Sequence, residues 1–251
     1  MSLAVSQVLF HPTVSQSLRV WSTTVGRDKT YRAIQYFARF YAWFLLKRGG
    51  PANALSASQW NSLKSALGSG RKMLRLFKPI EHLQAALSTS SSPYQLEFYS
   101  AVARQLSYAG YLAFDSLVWA NGVKFIALDK DVAVRVNKIS QRFWLAGILF
   151  SIGGGMSKLN RQLNAIKQLK RSSTKSTEKG DDAQQTRDEI RALKVQSAAV
   201  RYQLIQDLLD FWLPASTLGY VNINDGAAGI IGLITSVMAF NLQWKAAGLK
   251  K

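Results

Sequence analysis

The chain has 251 residues, with 32 Lys and Arg against 14 Asp and Glu and a formal charge of +18. Its 48 % apolar content is too high for a disordered basic tail, and its 18 % charged content too high for a polytopic transporter. The absence of cysteine excludes disulfide scaffolds, iron–sulfur clusters, zinc ribbons and thiol nucleophiles. His11 and His82 are the only histidines, so no metal site and no cofactor are expected. No nucleophile–base–orienter set is present, and Gly153-Gly154-Gly155 does not match a phosphate-binding loop. The chain therefore reads as a non-enzyme. The N-terminal stretch lacks the basic lead of a secretory signal, and the final GLKK is no retention or peroxisomal terminal signal.

Apolar residues recur at three- and four-residue spacings and no alternating strand pattern persists, so the expected fold is all-α, a membrane-associated helical bundle. Breaks are expected at Gly26-Arg27-Asp28, Gly49-Gly50-Pro51, Ser88 to Pro93 and near Leu128-Asp129. A polar linker is expected over 172–185, and Pro214 should end or kink the preceding helix. These divide the chain into a basic N-terminal helical region (1–141), a short apolar segment with a basic helix (142–171), the linker, and a C-terminal region (186–251). The first hundred residues hold 12 cations and 3 acids, a net +9 and half of the total. That is a platform for an anionic surface.

In chain order, Asp28 to Arg48 comes first, with seven aromatics among five cations. Asp28 suits an N-cap or first-turn acid. The aromatics fit an interfacial helix or a core better than nucleic acid, because no nucleic-acid motif accompanies them. Residues 60–80 follow. At 100° per residue, Leu63, Leu67, Met73, Leu74 and Phe77 share one face, and Lys64, Arg71, Lys72, Arg75 and Lys78 the other. No acid interrupts the segment before Glu81, and Pro79 marks its end or a kink. The expectation is a helix in the headgroup plane of an anionic bilayer, with its apolar side chains inserted and its cations on lipid phosphates.

Two longer apolar runs lie further on. Phe143 to Met156 has 14 residues without charge, about 21 Å as a helix, so a buried or re-entrant helix is as good a reading as a span. The run 227–244 has 18 residues, about 27 Å, and closes on Trp244-Lys245, an interfacial pair. It is the expected transmembrane segment. Gly147, Ser151 and Gly155 form one stripe of small residues and Ala228, Gly232 and Ser236 another, suited to close helix packing in lipid. Asp115, Lys124, Asp207 and Asp210 interrupt two other apolar stretches, which read as packed or interfacial helices.

The run from Asp28 to Phe40, with Asp28, Lys29, Arg32, Gln35, Tyr36 and Arg39, resembles the opening signature of the peroxin-11 family of peroxisomal membrane proliferation factors. The run Ser69 to Lys78 resembles its basic amphipathic helix. Tyr111, Asp115 and Trp119 resemble its Tyr…Asp…Trp stretch, and Asp207-Leu208-Leu209-Asp210 before a final apolar segment also fits. The four blocks cover nearly the whole chain in the right order, and the linker and length resemble fungal members. The resemblance implies a peroxisomal membrane protein that bends and elongates its membrane before fission. It also implies self-association and contact with the fission machinery, a dynamin-like GTPase and its tail-anchored adaptor. A pore for small metabolites is the alternative it carries. One departure concerns Lys158, Arg161, Lys167, Lys170 and Arg171. They directly follow the first apolar run, where two spans would place them away from the cytosol against the positive-inside rule.

Overall fold

The computed structural model describes residues 7–175 and 181–249, and among them the regular secondary structure is all helical. The helices are α1 Pro12–Trp21, α2 Thr24–Arg48, α3 Pro51–Met73, α4 Lys78–Leu87, α5 Gln95–Gly122, α6 Lys130–Lys175, α7 Asp181–Asp210, α8 Trp212–Thr217 and α9 Asp225–Leu249.

Local chemistry accounts for most boundaries. Thr23 caps α2, its hydroxyl accepting the Gly26 N–H at 3.0 Å, which satisfies one of the donors a helix start leaves open. Helix α2 thus starts at Thr24 and runs through the break expected at 26–28, and Asp28 lies inside the helix instead of capping it. Gly49 and Gly50 have φ of 71° and 86°, a region open to glycine. They turn the chain sharply into Pro51, which occupies the first turn of α3. That helix stops at Met73, and tight turns carry the chain to Phe77. Pro79 therefore opens α4; it neither ends nor kinks the preceding helix, because proline at a helix start loses no hydrogen bond. Pro214 lies within the short α8, and α7 ends at Asp210, the residue whose carbonyl loses its i+4 donor and meets the proline ring, so the preceding helix ends as expected. Helix α6 runs unbroken to Lys175 and α7 begins at Asp181, so much of the expected linker is helical; residues 176–180 lie outside the described residues.

Two layers form. In the first, α2 lies between α3 and α9, with α1 across the end of α9. Helix α9 runs antiparallel to α2, and methyl groups at Gly226, Gly229 and Gly232 would overlap Trp43, Phe40 and Tyr36 in turn. At Gly229 a Cβ would come within 2.8 Å of the Phe40 backbone, so glycine there sets the separation of the two helices. In the second layer, α5, α6 and α7 pack side by side with α4 on α5. Tyr111 stacks on Trp144 and Phe114 on Phe143 between α5 and α6. Arg161 of α6 donates to both Glu97 oxygens at the start of α5, at 2.8 and 2.9 Å. These bonds raise the Arg161 guanidinium above its ordinary range.

Helix α2 reaches the second layer through side chains alone, since no Cα of α2 comes within 8 Å of one in α5, α6 or α7. Half of the buried apolar residues are alanines, among them Ala38, Ala42, Ala57, Ala109, Ala215 and Ala228. The buried polar residues include Asp28, Arg32, Arg71, Asp115 and Asp207. Large apolar side chains, meanwhile, point outward on α3, α4, α5 and α9. Compared with a protein folded in water, where charged groups are rarely buried, the pattern is reversed in part: several ion pairs lie inside while strips of large apolar side chains face outward.

Candidate membrane-interaction site

The expected membrane helix has a reversed orientation too. Its apolar side is the outer one. Leu63 is 39 % exposed, Met73 53 % and Phe77 79 %, while Leu67 and Leu74 are half-buried. Ile80, Leu83 and Leu87 extend the outward apolar strip along α4. Three of the five cations point inward. Arg71 is 7 % exposed. It donates to Asp28 of α2 at 3.0 Å and to the Gln35 side-chain oxygen at 2.7 Å. Lys72 pairs with Asp115 of α5 at 2.8 Å. Arg75 donates to the other Asp115 oxygen at 3.0 Å and to the Tyr111 hydroxyl at 3.3 Å. The expectation that Arg71, Lys72 and Arg75 lie on lipid phosphates is corrected accordingly. A charge with a carboxylate partner inside the bundle is held there by that partner, because separating them would leave both desolvated and uncompensated. Lys64 donates to Asn61 at 2.7 Å and Lys78 pairs with Glu81 at 2.7 Å. Both bonds are local, within α3 and α4, so neither cation is tied by them to another helix.

The other singled-out residues converge on the space between the layers. Lys29 is 3.4 Å from Asp28. Arg32 donates to Asp210 of α7 at 2.6 Å and lies over the Tyr36 ring. Arg39 donates twice to Asp225 at the start of α9, at 2.6 and 2.9 Å. Gln35, Tyr36, Arg39, Lys64 and Trp119 share a groove between α2, α3 and α5. Four sequence blocks far apart in the chain thus meet through ion pairs. Asp28 and Arg32 come from the first, Arg71, Lys72 and Arg75 from the second, Tyr111 and Asp115 from the third and Asp210 from the fourth. They enclose a cavity of about 530 Å³ that also reaches Arg104 and Asp207.

Both small-residue stripes lie in helix contacts. Gly147 faces Ser107 and Tyr108, Gly155 faces Leu204, and Ser151 donates to Asp207 at 2.6 Å. Ala228 and Ser236 are buried beside α2, with Gly232 against Tyr36. One described helix is long and apolar enough to cross a membrane, the 24-residue stretch Asp225–Gly248 with a mean hydropathy of 1.4. The run Phe143 to Met156 is the middle of the 46-residue α6, a helix of about 69 Å. Its Leu145 and Ile148 are buried in the second layer. Asp207 and Asp210, read from the sequence as charges on a packed or interfacial helix, and Arg104, which the sequence reading did not single out, all line this interior. Their signal was an unpartnered charge in each of several amphipathic stretches, which shows that partners exist but not which ones.

A basic, cysteine-free helical bundle with outward apolar strips, ion pairs buried between its layers and one apolar C-terminal helix fits a membrane-associated structural protein. The family model of peroxisomal biogenesis factor 11 (PEX11) matches residues 14–244, and the chain belongs to that family. Peroxisomal membrane protein PMP27 of Saccharomyces cerevisiae is 26 % identical over 95 % of this chain and 98 % of its own length. Peroxisomal membrane protein PMP30B of Candida boidinii is 24 % identical, with 96 % and 97 % covered. Peroxisomal biogenesis factor 11 of Schizosaccharomyces pombe is 23 % identical, with 93 % and 96 % covered. No solved structure matches the chain. The protein is a non-enzymatic protein of the peroxisomal membrane, as its family is.

Proposed function

We propose that the protein promotes peroxisome proliferation by binding the peroxisomal membrane, bending it and elongating it. The observation that carries this reading is the outward apolar strip Leu63, Met73, Phe77, Ile80, Leu83 and Leu87 on α3 and α4. An exposed strip of this kind is stable where lipid covers it. Area added to one leaflet bends the sheet toward that side. Because the inward cations are neutralised by Asp28 and Asp115, insertion depends on the apolar side chains more than on phosphate contacts. Lys64 and Lys78 remain as the cations for anionic headgroups. Self-association, and contact with a dynamin-like GTPase and its tail-anchored adaptor, complete the reading as the family resemblance supplies it.

The test is electron microscopy of anionic vesicles with the full-length protein. Replacing Leu63, Met73 and Phe77 together with Gln should abolish tubules while the circular dichroism stays helical. Undiminished tubulation by the triple variant would refute the assignment.

The polar space between the layers supports a second reading, passage of small metabolites. Two further cavities adjoin it, one sharing Gln35, Tyr36, Gly68 and Lys72 with it and the other sharing Arg104, Gln105 and Gln203. Solute flux through reconstituted vesicles, lost when Gln105 and Gln203 are replaced by Leu, is its expected result. Tubulation without flux would leave the first reading alone.

A further inference from the structure

The cavity between the layers has more cations than its acids neutralise. Its wall contains seven Lys and Arg and four Asp. Arg32, Arg71, Lys72 and Arg75 each have a carboxylate within 3.0 Å. Arg104 of α5 has none among the described residues. Its guanidinium lies over the Tyr108 ring, 5.3 Å from the centroid, and its Nε is buried with no hydrogen-bond partner. The nearby Asp207 carboxylate feels the Arg104 charge but makes no ion pair with it; its hydrogen bonds come from Ser151 at 2.6 Å and Gln203 at 2.8 Å. A second wall atom, the Gln206 side-chain oxygen, is also buried without a donor.

Buried polar atoms are nearly always satisfied, so each orphan calls for an explanation. Here the residues that carry a donor orphan and an acceptor orphan, Arg104 and Gln206, both line one cavity. At about 530 Å³ it falls in the size range of small-molecule sites and is far larger than a single ion needs. A guanidinium beside excess positive charge suits a phosphate, whose oxygens accept several N–H bonds at once. A free side-chain oxygen suits a hydroxyl on the same molecule.

We propose that this cavity binds a hydroxyl-bearing phosphate ester, with Arg104 donating to the phosphate and Gln206 accepting from a hydroxyl. The ester could reach it as a soluble metabolite or as a phosphorylated lipid headgroup. The site stands independently of membrane bending, since none of the outward apolar residues contributes to it.

The test is calorimetry on the full-length protein in neutral nanodiscs, titrated with glycerol 3-phosphate. A parallel series uses nanodiscs containing phosphatidylinositol 4-phosphate, with heat stability of the protein as the readout. Saturable binding in the first series identifies a soluble ligand; stabilisation only in the second identifies the headgroup. Arg104→Gln should weaken whichever is found by about ten- to hundredfold, the loss expected for one hydrogen bond between charged groups, and Arg104→Lys by less. No saturable binding and no stabilisation in either series would overturn the proposal, and this needs no variant. So would binding that Arg104→Gln leaves intact but Lys64→Gln removes, since Lys64 lies outside this cavity and the anion would then be bound elsewhere.

Discussion

Asp115 shows how one residue can decide the orientation of a helix. Only 4 % exposed, it accepts from Lys72 and Arg75 with separate oxygens, and so holds the basic side of α3 and the turn after it toward α5. Removing the carboxylate leaves two desolvated cations without compensation. Breaking such a buried pair costs about 3–5 kcal/mol, so Asp115→Ala should lower the thermal midpoint of the detergent-solubilised protein sharply. Phe77→Gln, on the outer side, should move it little in detergent, since surface changes usually stay within about 0.5 kcal/mol. If the two variants melted alike, α3 would not be held by its inward charges. Asp28 has the matching role for Arg71 and Lys29, and Asp210 for Arg32. Charged residues from four separate blocks of the chain are thus the staples of the bundle.

At the scale of elements, glycine has two different meanings. Along α9 it marks backbone proximity, and Gly229→Leu should push α9 from α2 because Phe40 backbone atoms occupy the space a side chain needs. Large residues forced into close contacts cost about 1–3 kcal/mol or more, which would appear as a lowered midpoint and faster hydrogen exchange in both helices. In α6, by contrast, nothing lies within 4 Å of a Cβ added at Gly153. Gly153→Ala should therefore be neutral or stabilise by up to about 1 kcal/mol, the difference in helix propensity. Equal destabilisation by both substitutions would mean that the glycines act through chain flexibility and not through packing.

At the scale of the molecule, the outward apolar strip and the apolar α9 set how the protein is held by its membrane. Raising ionic strength from 0.1 to 1 M shortens the screening length from about 10 to about 3 Å, which weakens attraction between exposed cations and headgroups. The apolar strip and α9 are unaffected by screening. Washing isolated membranes with 1 M salt should therefore leave the protein in the pellet, although the first encounter with anionic vesicles slows. Release by salt alone would show that peripheral charge, not apolar insertion, holds it.

Periodicity, turn residues and charge distribution were enough to read from the sequence an all-helical, basic, membrane-associated chain. The breaks at Gly49-Gly50, at 88–93 and near Asp129 were legible for the same reason, because they depend on neighbours in the chain. The apolar C-terminal helix was legible from its composition, and the amphipathic character of 60–78 from its spacing. Which way that helix turns was not. Spacing places Arg71, Lys72 and Arg75 together on one side, but only partners from other helices determine whether that side meets water, lipid phosphate or acid. Asp28 is 43 residues from Arg71 and Asp115 is 40 from Arg75, distances at which the chain's local pattern carries no information about contact. Tertiary structure decided the pairing, since a buried charge is tolerated only where a partner of opposite sign is brought to it, and with that it decided that the apolar side of the helix is the one left for lipid.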